Sequence, residues 1–147
     1  MAKELSEAAV GAWIALMRAQ QTALLKIERA FREAELPPLA WYDLLWELDR
    51  AGTEGLRPFE LEERILIAQS NISRLIDRLA ERGHVMRERT EEDGRGQRVR
   101  ITTPGRELRR RMWPVYAKAL REAVGSRLTE REAHMVATQL TKLIDLR

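Results

Sequence analysis

Residues 69–102 read QSNISRLIDRLAERGHVMRERTEEDGRGQRVRIT. In the first half, Ile72, Leu75, Ile76 and Leu79 recur at intervals of three and four, the stripe of an amphipathic helix. Ser70, Ser73, Arg74, Asp77 and Arg78 occupy the opposite face. The pattern predicts a helix from about Gln69 to Arg82, ended by Gly83, where a glycine is favoured just past a helix end. The period then changes. His84–Arg89 alternates, and so does Arg98–Thr102, around a turn-rich stretch from Thr90 to Gln97. That pattern predicts a two-stranded hairpin with an eight-residue charged tip. A tip longer than a tight turn requires is expected to reach for a partner.

Working outward, helical spacing continues on both sides. Upstream, Phe59 to about Leu66 is expected to be a short helix burying Leu61, Ile65 and Leu66. Before it come a loop, Ala51–Gly55, and a helix over Leu39–Arg50 with Trp41, Leu44, Leu45 and Leu48 inward. Pro37-Pro38 separates that helix from a long one over residues 6–34, with Ser6 as its cap. Its apolar positions are Val10, Trp13, Ile14, Met17, Leu24, Ile27 and Phe31. Downstream, Thr103-Pro104 is expected to cap and open a helix striped by Leu108, Met112, Val115, Ala119 and Leu120, with a kink at Pro114. Gly125 breaks the pattern. Thr129 and Glu132 form a capping box for a last helix reaching about Leu146, with Val136, Leu140, Leu143 and Ile144 on one face.

Composition agrees with a mainly α protein. The 147 residues are 44% hydrophobic and 33% charged, enough for one ordinary core, and helix formers dominate. Cysteine is absent, which excludes disulfides and thiolate chemistry. His84 and His134 are too few for a histidine metal site, so no metal and no cofactor are expected. No apolar run approaches the roughly 18 residues of a membrane span, and Met1–Glu7 lacks a signal-peptide pattern. A soluble cytoplasmic protein without membrane contact is the expectation. Glu91, Glu92 and Asp93 cluster on a solvated turn where burial would not tune them, and there is no glycine-rich phosphate loop. Neither an enzyme nor a catalytic residue is expected. Net charge is only +3, yet Leu66–Arg111 holds 12 arginines and 7 acids. A basic middle suits an anionic partner. The alternative is arginine-rich genome composition, since 22 of the 26 cations are Arg.

Helix, short turn, helix, charged hairpin is the order of a winged helix-turn-helix. Such a helix fits the major groove of B-DNA, and an arginine-bearing hairpin tip suits a narrow minor groove. Here the residues resemble those of the MarR family of bacterial transcription regulators. Ser70–Gly83 is similar to its recognition-helix segment, Asp93-Gly94-Arg95 to its Asp-x-Arg wing motif, and Thr103-Pro104-Gly105-Arg106 to its Thr-x-x-Gly-Arg passage. The resemblance implies DNA contacts by Ser70, Asn71, Ser73, Arg74 and Arg78, with Arg95 and Arg98 on the wing. It implies that Asp77 on the helix and Asp93 on the wing make the salt bridges that join the two. Arg87, Arg89, Arg98 and Arg100 alternate along the strands, and spacing alone does not sort phosphate contacts from solvated charges. Leu66, Glu62 and Ala68 depart from the family's common turn glycine, small packing residue and hydroxyl cap. These departures bear on the turn and on which residue caps the recognition helix.

The same resemblance implies a division into a winged DNA-binding region, 37–102, and dimerisation helices, 1–34 and 103–147. A two-fold homodimer then matches a pseudo-palindromic stretch of double-stranded DNA. Repression is the family habit. Many members respond to a small aromatic or anionic effector, and Trp13, Met17, Trp41 and Trp46 could line a cleft for one. Plain core packing is the alternative for those four, so no ligand residue is assigned. The competing functional reading is a winged-helix protein-interaction module that does not bind DNA.

Overall fold

The computed structural model describes residues 3–67, 70–89 and 96–144. In chain order these form α1 (Glu7–Glu33), α2 (Leu39–Ala51), a 3-10 turn (Gly52–Glu54), α3 (Pro58–Arg64) and α4 (Ile72–Glu81). Then come β1 (Val85–Arg89), β2 (Gln97–Ile101), α5 (Thr103–Leu120), a π-turn (Arg121–Gly125) and α6 (Glu130–Ile144). A mainly helical chain with one two-stranded antiparallel sheet is the architecture expected of a winged helix fold.

Contacts divide the chain into two units, Phe31–Val115 and Met1–Ala30 with Tyr116–Arg147. The first unit has a core. Leu44, Leu45 and Leu48 of α2, Leu61 of α3, Ile76 and Leu79 of α4, Val99 of β2 and Met112 of α5 are all fully buried there. Gly55 lets a short bridge form beside the sheet, where Leu56 pairs with Val99 through two backbone hydrogen bonds of 2.9 and 2.7 Å. The wing is therefore anchored to the segment ahead of α3 as well as to its own strand partner.

The second unit is built differently. Among its described residues only Ile27 and Ala119 are buried hydrophobics. α6 is amphipathic yet buries nothing. Trp13 is 61% exposed, and Val10, Ile14, Met135, Val136, Leu143 and Ile144 are exposed with it. The apolar stripes expected on these helices are present, but one copy of the chain does not cover them. The helix ends are well formed. Ser6 Oγ accepts the Ala9 N–H, and Thr129 and Glu132 cap one another reciprocally.

Several local expectations are corrected. α4 starts at Ile72 rather than Gln69, because the Asn71 side chain provides the N-cap. Its C-terminus closes as a Schellman motif, with His84 N–H on the Leu79 carbonyl and Gly83, at φ 78°, on Ala80. Thr102, not Thr103, caps α5. Its hydroxyl accepts the Gly105 N–H and donates to the Gly83 carbonyl at 2.6 Å, joining the end of α4 to the start of α5. Leu66, expected inside, is 80% exposed. Trp41 is half-buried, its ring edge-on to His84, while Tyr42 and Asp43 take the buried positions.

Asp43 explains the turn between α3 and α4. Its carboxylate, on α2, accepts the backbone N–H groups of Leu66 and, at 2.9 Å, Ile67. Two amides of an irregular turn are thereby satisfied without the turn glycine common in the resembled family. Burial pushes the carboxyl above its ordinary value, and the two amide hydrogen bonds only partly oppose that. The charged form is thus disfavoured in the folded state as pH rises through that window. Asp43→Asn keeps an oxygen acceptor without the charge and should leave stability at neutral pH unchanged or slightly raised. Asp43→Ala strands two amides and should cost about 2 kcal/mol, read from urea unfolding.

His84 sits where α4, the wing and α5 meet. Burial holds its pKa below the ordinary 6.5, a hydrogen bond to the Pro104 carbonyl opposes this, and the charges of Arg111 and Arg82 add to it. Nδ1 is buried with no hydrogen-bond partner, which suits a neutral ring and not a protonated one. A base with a lowered folded pKa contributes stability above its unfolded value that is lost as pH falls. The melting temperature should therefore drop as pH falls through about 6.5 and below, and His84→Gln should flatten that dependence.

Candidate nucleic-acid interface

α4 presents two faces. Leu75, Ile76 and Leu79 enter the core, while Ser73, Arg74, Asp77 and Arg78 are exposed, with Ser70 and Asn71 exposed just ahead of the helix. Asn71 Oδ1 accepts the Arg74 N–H at 3.0 Å, so this oxygen is used as the cap and only the amide nitrogen is left to act as a donor. An exposed helix face with two guanidiniums and two hydroxyls can meet both phosphates and base edges.

Strand register decides what the wing offers that face. Val85 opposes Ile101, Arg87 opposes Val99, and Glu88 opposes Arg98. Directly opposed residues share a side of the sheet. Arg87 therefore shares the inward side with Val85, Val99 and Ile101 and turns to α4. Its Nη2 donates to Asp77 Oδ1 at 2.7 Å, to the Ser73 carbonyl at 3.1 Å and to Ser73 Oγ at 3.3 Å. Its Nη1 donates to Gln97 Oε1 at 2.8 Å. One guanidinium thus joins both wing strands to the exposed face of α4, and the fork geometry of arginine makes this possible.

The other strand arginines divide by side. Arg100 pairs with Glu88 at 3.1 Å on the outward side. Arg98, also outward and partly buried, donates to the Glu54 carbonyl at 3.3 Å. It braces β2 against the 3-10 turn, with part of its guanidinium already engaged. Arg89 is exposed. Arg95 and Asp93 lie outside the described residues. Arg87 was not singled out from sequence, although a signal existed. It is in phase with Val85, which places it on the core side of an alternating strand.

A second polar cluster stiffens the same unit. Asp49 of α2 accepts from Arg109 Nε at 2.6 Å and from Arg106 Nε at 3.2 Å, both on α5. Arg109 also lies over the Trp46 ring, 5.3 Å from its centroid, and Tyr42 stacks between Trp46 and Trp113. Among the described residues no group of His, Asp or Glu side chains could hold a metal ion, and no helix is long and apolar enough to cross a membrane.

Three helices, α2 to α4, with an antiparallel hairpin clamped to the last of them form a winged helix-turn-helix, the fold class of many duplex-DNA readers. Residues 36–96, the winged region, match the model of the MarR family. The fold of the chain over its whole length is similar to solved members. Sco3205, a MarR family transcriptional regulator from Streptomyces coelicolor solved in complex with DNA, is 27% identical, with a TM-score of 0.87 over 99% of this chain and 91% of that one. A mutant MarR from E. coli, complexed with operator DNA, is 20% identical, with a TM-score of 0.79 over 96% and 99%. BpsR of Bordetella bronchiseptica, whose DNA binding is regulated by 6-hydroxynicotinic acid, is 22% identical, with a TM-score of 0.78 over 92% and 99%. No curated protein matches the chain in sequence.

Proposed function

We propose that the protein is a homodimeric transcription regulator that binds a pseudo-palindromic operator and acts as a repressor. The observation that carries this reading is the exposed arginine-bearing face of α4, held against the wing by Arg87. Ser70, Asn71, Ser73, Arg74 and Arg78 enter the major groove or touch its phosphates. Arg95 at the wing tip and Arg98 on β2 serve the flanking minor groove and backbone. Asp77, through Arg87, holds the wing to the helix, and Asp93 has the matching role at the tip.

Residues 37–102 are the DNA reader, and 1–34 with 103–147 are the dimerisation helices. The uncovered apolar faces of α1 and α6 support that division, because a monomer would leave them in water. A dimer sets two recognition helices at a fixed spacing, and a small aromatic or anionic ligand that prefers one spacing would change DNA affinity. The test is electrophoretic retardation of the DNA upstream of the protein's own reading frame, with light scattering on the free protein. A dimer that retards this duplex and releases it as salt rises supports the reading. Failure to hold any duplex at low salt would make the chain a winged-helix protein-interaction module.

A further inference from the structure

The exposed face of α4 and the adjoining wing strand use their acceptors inside the protein. Asn71 Oδ1 accepts the Arg74 N–H at 3.0 Å. Ser73 Oγ and Asp77 Oδ1 accept from Arg87 Nη2 at 3.3 and 2.7 Å, and Gln97 Oε1 accepts from Arg87 Nη1 at 2.8 Å. The second Asp77 oxygen belongs to a carboxylate whose charge that guanidinium offsets. Four side chains able to accept from a base are thus engaged, three of them by Arg87.

What they leave for a partner is donors. Asn71 and Gln97 keep their amide N–H groups, Ser73 keeps its hydroxyl hydrogen, and all three residues are exposed. Arg74 and Arg78 add two exposed guanidiniums, which donate and cannot accept. The fold itself sets this balance. Register opposite Val99 turns Arg87 inward, and the start of α4 fixes Asn71 as its cap.

Base edges differ in what they return to such a surface. In the major groove guanine shows two acceptors, N7 and O6, side by side. Adenine sets an amine beside its N7, thymine offers O4 beside a methyl group, and cytosine shows only an amine. A forked donor is satisfied in full by guanine alone, and a donor-rich face meets the amines of adenine and cytosine donor to donor. Arg74 is the fork best placed for a base. It stands in the first turn of α4, and the N-terminal residues of a helix laid in the groove are those that meet base edges.

We infer that a guanine selects each half-site, its N7 and O6 taken by Arg74, and that Arg87 is a positioning residue for this choice because it withholds the acceptors of Ser73, Asp77 and Gln97 from the bases. This rests on the DNA-binding reading above and adds the base that is read.

The probe comes from a pool of random duplexes selected on the full-length protein at low salt. Anisotropy titrations then replace each guanine of the selected duplex in turn by 7-deazaguanine, which lacks N7. At one guanine per half-site the analogue should weaken wild-type binding roughly tenfold, as for a lost bidentate contact. Arg74→Ala, already weakened, should lose nothing further from the analogue at that position. Exchange of that G·C pair for A·T should cost the wild type several-fold more than it costs Arg87→Ala, whose freed acceptors can meet the adenine amine. A role of Arg87 in stability alone would leave this ratio unmoved.

Selected half-sites without guanine, or a wild type that tolerates the analogue at every guanine, would overturn the inference and leave duplex binding standing. So would an equal analogue penalty in Arg74→Ala and wild type, or an exchange penalty unchanged in Arg87→Ala. Retention of no duplex from the pool would overturn the DNA-binding reading as well.

Discussion

Gly55→Ala is expected to cost about 3 kcal/mol or more of stability, lowering the melting temperature by roughly 10 °C in a domain of this size. Two separate effects add. Gly55 has φ 66° and ψ −170°, a region open essentially to glycine alone. A Cβ there would also lie 2.4 Å from the Val99 carbonyl oxygen and 2.8 Å from Arg100 Cγ. The neighbour is backbone, so it can yield only if the Leu56–Val99 pairing opens. Gly52 supplies the control. It has φ 66° too, but nothing lies within 4 Å of its would-be Cβ. Gly52→Ala should therefore cost only the backbone penalty, about 1–3 kcal/mol, leaving the excess at Gly55 as the steric part. Thermal and urea unfolding followed by circular dichroism measure both. Equal losses at the two positions would show that the close approach to Val99 contributes nothing.

The same glycine illustrates what the sequence made legible. Ala51–Gly55 reads as a loop from composition, and a loop forms there, but nothing local says that Leu56 will pair with Val99, more than forty residues away. Helices announced themselves through stripes at three and four, and the hairpin through alternation. Helix ends were harder, because a cap is one hydrogen bond and neighbouring hydroxyls or amides compete for it. Asn71 wins over residues before it, and Thr102 over Thr103. Asp43 was invisible for a different reason. An acid in an apolar stretch looks like a surface residue unless the amides that it satisfies are known, and these belong to a turn more than twenty residues on.

At the interface, the exposed face of α4 was readable because amphipathic period fixes both faces at once. The wing arginines were not sorted by eye, yet register sorts them. Arg87 is inward beside Val85, and Arg98 and Arg100 are outward with Glu88. The exposed stripes of α1 and α6 were readable as apolar but not as uncovered, since periodicity cannot tell which molecule does the covering.

The second large effect concerns DNA. On the reading proposed above, Arg74→Ala should weaken operator binding by roughly 1–3 kcal/mol, about 5- to 150-fold, and flatten base preference. Arg74 lies in the first turn of α4, its side chain exposed and its backbone fixed by the Asn71 cap, so truncation removes a guanidinium without disturbing the helix. Arg87→Ala should separate stability from function in another way. The Arg87–Asp77 pair is largely open to water on the Asp77 side, so its loss should change unfolding free energy by less than about 1 kcal/mol. DNA affinity should nevertheless fall, because Asp77 then faces phosphates unneutralised and the wing is no longer tied to Ser73. Arg87→Lys should not restore it, since an ammonium cannot span Asp77, Ser73 and Gln97 together. Anisotropy titrations on operator and scrambled duplexes, at several salt concentrations, distinguish the roles. Arg74→Ala should lose more on operator than on scrambled DNA, and Arg87→Ala should lose on both. An Arg74→Ala variant with unchanged affinity and unchanged preference would remove the recognition face of α4 from the mechanism.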